Sequence, residues 1–219
     1  MAIAYKLTTL DNLDGSQTSV SGNNPQGGLI MDAAGNLFGT TSAGGAFGDG
    51  TVFEIAWNGS SYASAPAVLA TFNNASGFHS VSSLTLDAAG NLIGTAAFGG
   101  TNFSGTVFEI AKTGTGYAKT PTTITNFNGA NGSLPHGGLT ADAAGNLFGA
   151  TAQGGANNNG SVYEIAKTST GYASATTIAS FPTNASNAPF FPVDNLIIDA
   201  AGNLFGTTEF GGIGTDAGG

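Results

Sequence analysis

Cysteine is missing from this 219-residue chain, and so is arginine. Without cysteine there is neither a disulfide framework nor a thiolate metal site. Lysine is scarce as well. Four lysines stand against 13 acidic residues, and the net charge of −9 repels nucleic acid and anionic membrane surfaces. Charged residues make up only 8% of the chain, yet no apolar run reaches the length of a membrane span. The opening MAIAYKLTTL lacks the basic start and long apolar core of a signal peptide, so if the native protein is exported, the expectation is that its signal has been cut away. No zinc spacing, dinucleotide fingerprint, Ser-His-Asp motif or DxDxDG-type calcium loop occurs. No cofactor is implied.

What is abundant is glycine, 36 residues of it, set among Ser, Thr, Asn and Ala. Such a composition suits disorder, but the hydrophobic 41% is in register and argues for a packed β protein with Gly-rich turns. The register comes from a sequence written four times: DAAGNLFGT from Asp32, DAAGNLIGT from Asp87, DAAGNLFGA from Asp142 and DAAGNLFGT from Asp199. The intervals are 55, 55 and 57 residues, which points to a stacked or radial repeat. Each copy reads as a β-hairpin. In Asp32-Ala33-Ala34-Gly35, Asp leads a type I turn and Gly supplies the left-handed bulge, so the repeated aspartates are turn formers.

A second signature follows each hairpin: GTVFEIAW from Gly50, GTVFEIAK from Gly105 and GSVYEIAK from Gly160. Its alternation is that of a strand. After a polar turn carrying Tyr62, Tyr117 or Tyr172 come β-branched runs ending at Phe72, Phe127 and Phe181. One unit is therefore four consecutive strands, a to d, joined as an antiparallel meander. Such meanders repeated around an axis make a β-propeller; the coils of a parallel β-helix are shorter than this period and contain no tight antiparallel hairpin. The expected fold is thus an all-β propeller forming one domain. Residues 1–26 supply a leading strand d with Leu7 and Leu10; 27–81, 82–136 and 137–193 are complete blades; 194–219 supply strands a and b only. Strand c of that last blade is missing. The expectation is a continuation of the chain or self-association that completes the split blade, since a bare edge of strand b is a pairing hazard.

At GGLIMDAAGNLFGTTSAGGAFGDGTVFEI, Gly27 to Ile55, the sequence resembles the bacterial Gloeo-Verruco (GloVer) tandem repeat of choice-of-anchor surface proteins. The resemblance covers three copies and most of a fourth. It implies an exported or surface-attached bacterial protein, with a signal peptide and a C-terminal sorting segment that are not in this sequence, and it brings no catalytic residue. The hairpin also resembles that of NHL-type propeller repeats, which serve mostly as binding platforms.

In such a meander the a–b and c–d turns lie at one end, and the b–c and d–a loops at the other. The first end is monotonous. At the second, the b–c loops GGAFGDG, GGTNFSG, GGANNNG and GGIGTDAGG vary in length and chemistry, and binding usually resides in variable loops on a rigid scaffold. Candidate ligand residues there are Phe47, Asp49, His79, Phe98, Asn102, Phe103, His136, Asn157, Asn158, Glu209 and Phe210, with Phe78, Phe190, Phe191 and Asp216 nearby. Aromatics beside Asn and Asp suit a sugar, on which a ring stacks while amides take hydroxyls. The leading reading is a surface binding or adhesion module for a glycan or another surface protein. Its alternatives are a lyase- or hydrolase-like enzyme with His79 or His136 as general base, and a purely structural repeat scaffold. Glu54, Glu109 and Glu164 sit mid-strand among apolar neighbours and either accept backbone hydrogen bonds or line a polar channel.

Overall fold

The computed structural model describes residues 22–183 and 190–211, and every regular element among them is a β-strand. Three units form one four-stranded antiparallel sheet each, in the order a-b-c-d. In the first the strands are Ile30–Met31, Leu37–Thr41, Thr51–Ile55 and Ala67–Thr71. The second uses Thr85–Leu86, Leu92–Ala96, Thr106–Ile110 and Thr122–Asn126. Thr140–Ala141, Leu147–Thr151, Ser161–Ile165 and Thr176–Ser180 make the third. The fourth unit contributes the pair Ile197–Ile198 and Leu204–Phe205. The sheets are small and open, and strand a is only two residues long. The leading strand with Leu7 and Leu10, and the last loop with Asp216, lie outside the described residues.

Side-chain chemistry explains the repeated turn. Gly35 N donates to Asp32 O at 3.0 Å and Asp32 N to Asn36 O at 3.0 Å, with Gly35 at φ 91°, which is the type I turn with a left-handed glycine. Asp32 Oδ1 accepts from the Ala34 and Asn36 amides, and its Oδ2 from Asn36 Nδ2. The asparagine works in both directions. Its Oδ1 accepts the backbone N–H of Trp57 just past strand c, as Asn91 does for Lys112 and Asn146 for Lys167, each at 2.9 Å. Turn a–b is thereby tied to the end of strand c.

Every c–d ladder carries the same irregularity, a register shift that leaves Leu69, Ile124 and Ile178 as the extra residue. In the first two sheets this position enters the hydrophobic core, which lies between sheets. One face of the first sheet (Phe38, Val52, Leu69, Phe72) packs on the opposite face of the second (Leu84, Leu92, Phe108, Ile110). The second presents Ile93, Val107, Ile124 and Phe127 to Leu139, Leu147, Tyr163 and Ile165 of the third. Equivalent positions are reused. Phe72 meets Phe108 edge-on at 4.8 Å, and Phe127 meets Tyr163 likewise at 5.0 Å. At the ends of the array these faces are uncovered by described residues: Leu29 is 51% exposed where Leu84 is 3%, and Ile178 is 46% exposed where Leu69 is 6%.

Electrostatics join the second and third units at the turn end. Lys167 of the third unit reaches Asp87 of the second at 3.0 Å and lies 3.8 Å from the centroid of its own Tyr172, whose hydroxyl is 3.4 Å from the same carboxylate oxygen. Glu54 and Glu109 belong to this end. Burial first, and then the neighbouring Asp32 or Asp87, holds each glutamate above the ordinary carboxylate range.

Candidate loop-end site

Strand a is entered, and strand b is left, at the end opposite the DAAG turns. There each unit adds a short ladder between its d–a loop and the continuation of strand b. Asn23 pairs with Ala43, Phe78 with Phe98, Ser133 with Gln153 and Phe190 with Phe210. The positions are equivalent, but the side chains alternate. Units two and four carry stacked aromatic rings, Phe78 on Phe98 at 5.5 Å and Phe190 on Phe210 at 5.2 Å, while units one and three carry small or polar groups.

Next to each ladder is a non-glycine residue in the left-handed region: Asn24 at φ 57°, His79 at 58°, Leu134 at 56° and Phe191 at 61°. Single outliers of this kind often mark function, but one repeated in all four units marks a joint of the scaffold. Its amide donates to the preceding unit's b–c loop, Leu134 N to Ser104 O and Phe191 N to Asn159 O. Its carbonyl accepts from its own strand b, as His79 O does from Ala97 N.

The described b–c loops do not vary in backbone as their sequences suggested. Gly50, Gly105 and Gly160 each donate to the first glycine of their loop, and Gly48, Phe103 and Asn158 share a left-handed conformation at one position. A Cβ on Gly50 would lie 2.2 Å from Thr41 O, so the closing glycine is required by close approach of backbone. Variation is confined to side chains. Phe47 and Phe103 point outward, 65% and 68% exposed. Asp49 bridges to Gly44, and Asn102 donates to Thr101 Oγ1. Asn157 is engaged in the fold, its Nδ2 donating to Phe181 O at 2.9 Å.

A cavity of about 550 Å³ lies where strands a begin, lined by residues 26–28, 81–83, 136–137 and 193–195. These are the same positions of four successive units. Glycine pairs alternate with polar side chains: Gly28 N donates to Ser83 Oγ at 3.0 Å, and Gly138 N to Asn195 Oδ1 at 2.5 Å. Thr40 and Thr95 hydroxyls donate to the carbonyls of Ser82 and Gly137 in the next unit.

Of the eleven candidate residues, only His136 lines this cavity. Burial, then the charge of His79, depresses its pKa, against an upward pull from Glu209. His79 packs edge-on against Phe98 at 5.7 Å. Among the described residues neither imidazole has a hydrogen bond to a carboxylate. Sequence reasoning passed over Gln26, Ser83, Asp194 and Asn195 because nothing local distinguishes them from ordinary loop residues; their one signal was equal offset from the four DAAG aspartates.

No match was found among curated proteins. A model of the Gloeobacter/Verrucomicrobia repeat matches residues 2–218, nearly the whole chain. Its period, its turn and its repeated inter-sheet contacts are those of one tandem unit, and the chain belongs to the Gloeobacter/Verrucomicrobia repeat family.

Proposed function

We propose that the chain is a β-propeller domain whose loop end binds carbohydrate, as a binding or adhesion module at a bacterial cell surface or in the extracellular space. Support for radial blades comes from the cavity. In a plain stack, sheets about 10 Å apart would separate the first unit from the fourth by about 30 Å, yet both line one space of about 550 Å³. Blades around an axis bring all four strand-a entrances together.

The observation that carries the binding role is the repeated platform at the loop end: one ladder in all four units, with polar or small pairs alternating with stacked Phe pairs. Stacked Phe78/Phe98 and Phe190/Phe210, with exposed Phe47 and Phe103, offer rings to a sugar face, and Asn and Ser residues beside them offer hydroxyl partners. Another surface protein is the alternative partner for the same platform. Two aromatic stacks on alternate blades favour the glycan.

A glycan array tests this. Binding of at least one saccharide class is expected, with loss of signal when Phe98 and Phe210 are replaced together by Ala. A blank array would overturn the carbohydrate reading in favour of a structural repeat scaffold. That second reading has its own observation, the uncovered sheet faces at Leu29 and Ile178, onto which a further repeat or a second copy of the chain fits.

A further inference from the structure

The geometry points to the four-unit cavity as the specificity pocket for one neutral, hydroxyl-rich sugar residue, free or at the terminus of a glycan; this rests on the carbohydrate reading above and adds the subsite. The polar groups come from different units, so they surround the space instead of lying along one strand. Gln26 enters from the first unit, Ser83 from the second, His136 from the third, and Asp194 with Asn195 from the fourth.

Their remaining hydrogen-bonding capacity is what a polyol needs. Asn195 Oδ1 and Ser83 Oγ accept backbone amides, which fixes both side chains and leaves the Asn195 Nδ2 protons and the Ser83 hydroxyl proton to donate. Asp194 Oδ2 accepts from Thr207 Oγ1 at 3.3 Å, leaving Oδ1 to accept. Among the described residues neither the Gln26 amide nor the His136 imidazole has a hydrogen-bond partner. A set mixing donors and acceptors matches hydroxyls, each of which does both.

Charge narrows the class further. The chain has no arginine, and the lysines among the described residues, Lys112, Lys119 and Lys167, all belong to the opposite, DAAG end, so an anionic sugar finds no cation among the described residues here. One carboxylate, with no second acid in the lining among the described residues, does not make a cation site. The volume falls in the range of about 300–1,000 Å³ typical of small-molecule pockets. Among the described residues no Phe, Tyr or Trp lines the cavity itself, so the stacked Phe pairs serve the neighbouring residues of a longer glycan and the pocket serves one sugar chiefly by hydrogen bonds.

The test is a titration of the folded chain with free glucose, galactose, mannose, xylose, maltose and cellobiose, following the His136 ring protons by NMR. At least one sugar should shift them saturably, and Gln26→Ala and Asp194→Asn should each weaken that binding at least ten-fold with unchanged melting temperature. On an array presenting the same sugar as a terminal or an internal residue, the terminal form should bind. The inference is overturned if no sugar moves His136, if both variants bind like the parent, if only internal residues bind, or if a chelator abolishes binding. Array binding that survives the pocket variants but is lost in the paired Phe98 and Phe210 variant leaves the carbohydrate reading standing without the pocket. A blank array together with a silent His136 removes both.

Discussion

Asp87 and Asp142 occupy the same turn in successive units and differ in one respect. Each caps its own turn, Oδ1 accepting two amides and Oδ2 accepting the asparagine Nδ2. Only Asp87 also receives Lys167 and Tyr172 from the next unit, in a contact where its side chain is 4% exposed and the lysine 31%. Substitution of either by Ala removes the turn cap, at about 1–2 kcal/mol, by analogy with loss of an Asp cap in a helix. For Asp87 the loss of a largely buried, charge-assisted contact adds about 1–2 kcal/mol, between the values for exposed and fully buried pairs. In a domain of this size the extra loss amounts to about 2–8 °C in melting temperature. Burial alone would raise the Asp87 pKa, but hydrogen bonds from Lys167 and Asn91 overcome it and hold the carboxyl below its ordinary value. The contribution is therefore fully present above the ordinary carboxylate pKa near 4 and fades as pH falls through the depressed value of the folded state. Thermal melts of the parent and both variants from neutral pH down to pH ~3 provide the assay. Equal losses for Asp87→Ala and Asp142→Ala at neutral pH, or a difference that does not shrink on acidification, would refute the claim that this turn joins one sheet to the next.

Phe127 is fully buried between the second and third sheets and its equivalent Phe181 is only half-buried, so Phe127→Ala should cost about 3–5 kcal/mol in urea unfolding and Phe181→Ala well under half of that. For His136, NMR titration should give a pKa below the ordinary value of about 6.5, rising when His79 is replaced by Ala and falling when Glu209 is replaced by Gln. Because the folded state disfavours protonated His136, its contribution to stability should decline as pH drops below that ordinary value; a titration at or above it would contradict the burial described for the ring.

The period, the hairpin and the four-strand unit were legible because each depends on local chemistry repeated at fixed offsets: Asp and Gly for the turn, alternation for strand c. The role of the asparagine after each DAAG was not legible, since its bond to the N–H of Trp57, Lys112 or Lys167 spans 21 residues and leaves no local mark. Loop variety was misjudged for a physical reason. GGAFGDG, GGTNFSG and GGANNNG share their outer glycines, and those glycines set the backbone, so the differing middle residues decorate one conformation. The joint at Asn24, His79, Leu134 and Phe191 was invisible, since only asparagine and histidine among them tolerate positive φ readily. Of the site, the sequence carried the end of the unit and His136; the cavity needed four units in space.

The consecutive order of strands within each sheet also bears on how the chain acquires its structure. Within each four-stranded sheet the ladders join strands that are consecutive among a to d, and the loop-end ladders such as Asn23–Ala43 and Phe190–Phe210 close inside one unit, so no strand waits for a partner made much later. Local pairing of this kind is quick to form, and units of an array can nucleate separately and then propagate. A chain emerging from a narrow exit, ribosomal or translocational, can therefore finish one sheet for each period of 55 residues delivered and use its outward apolar face to template the next. The polarity of the interfaces gives this growth a direction. Each finished sheet offers its Val52-type face to strands still to come, so vectorial delivery from the N-terminus matches the order in which the faces are filled.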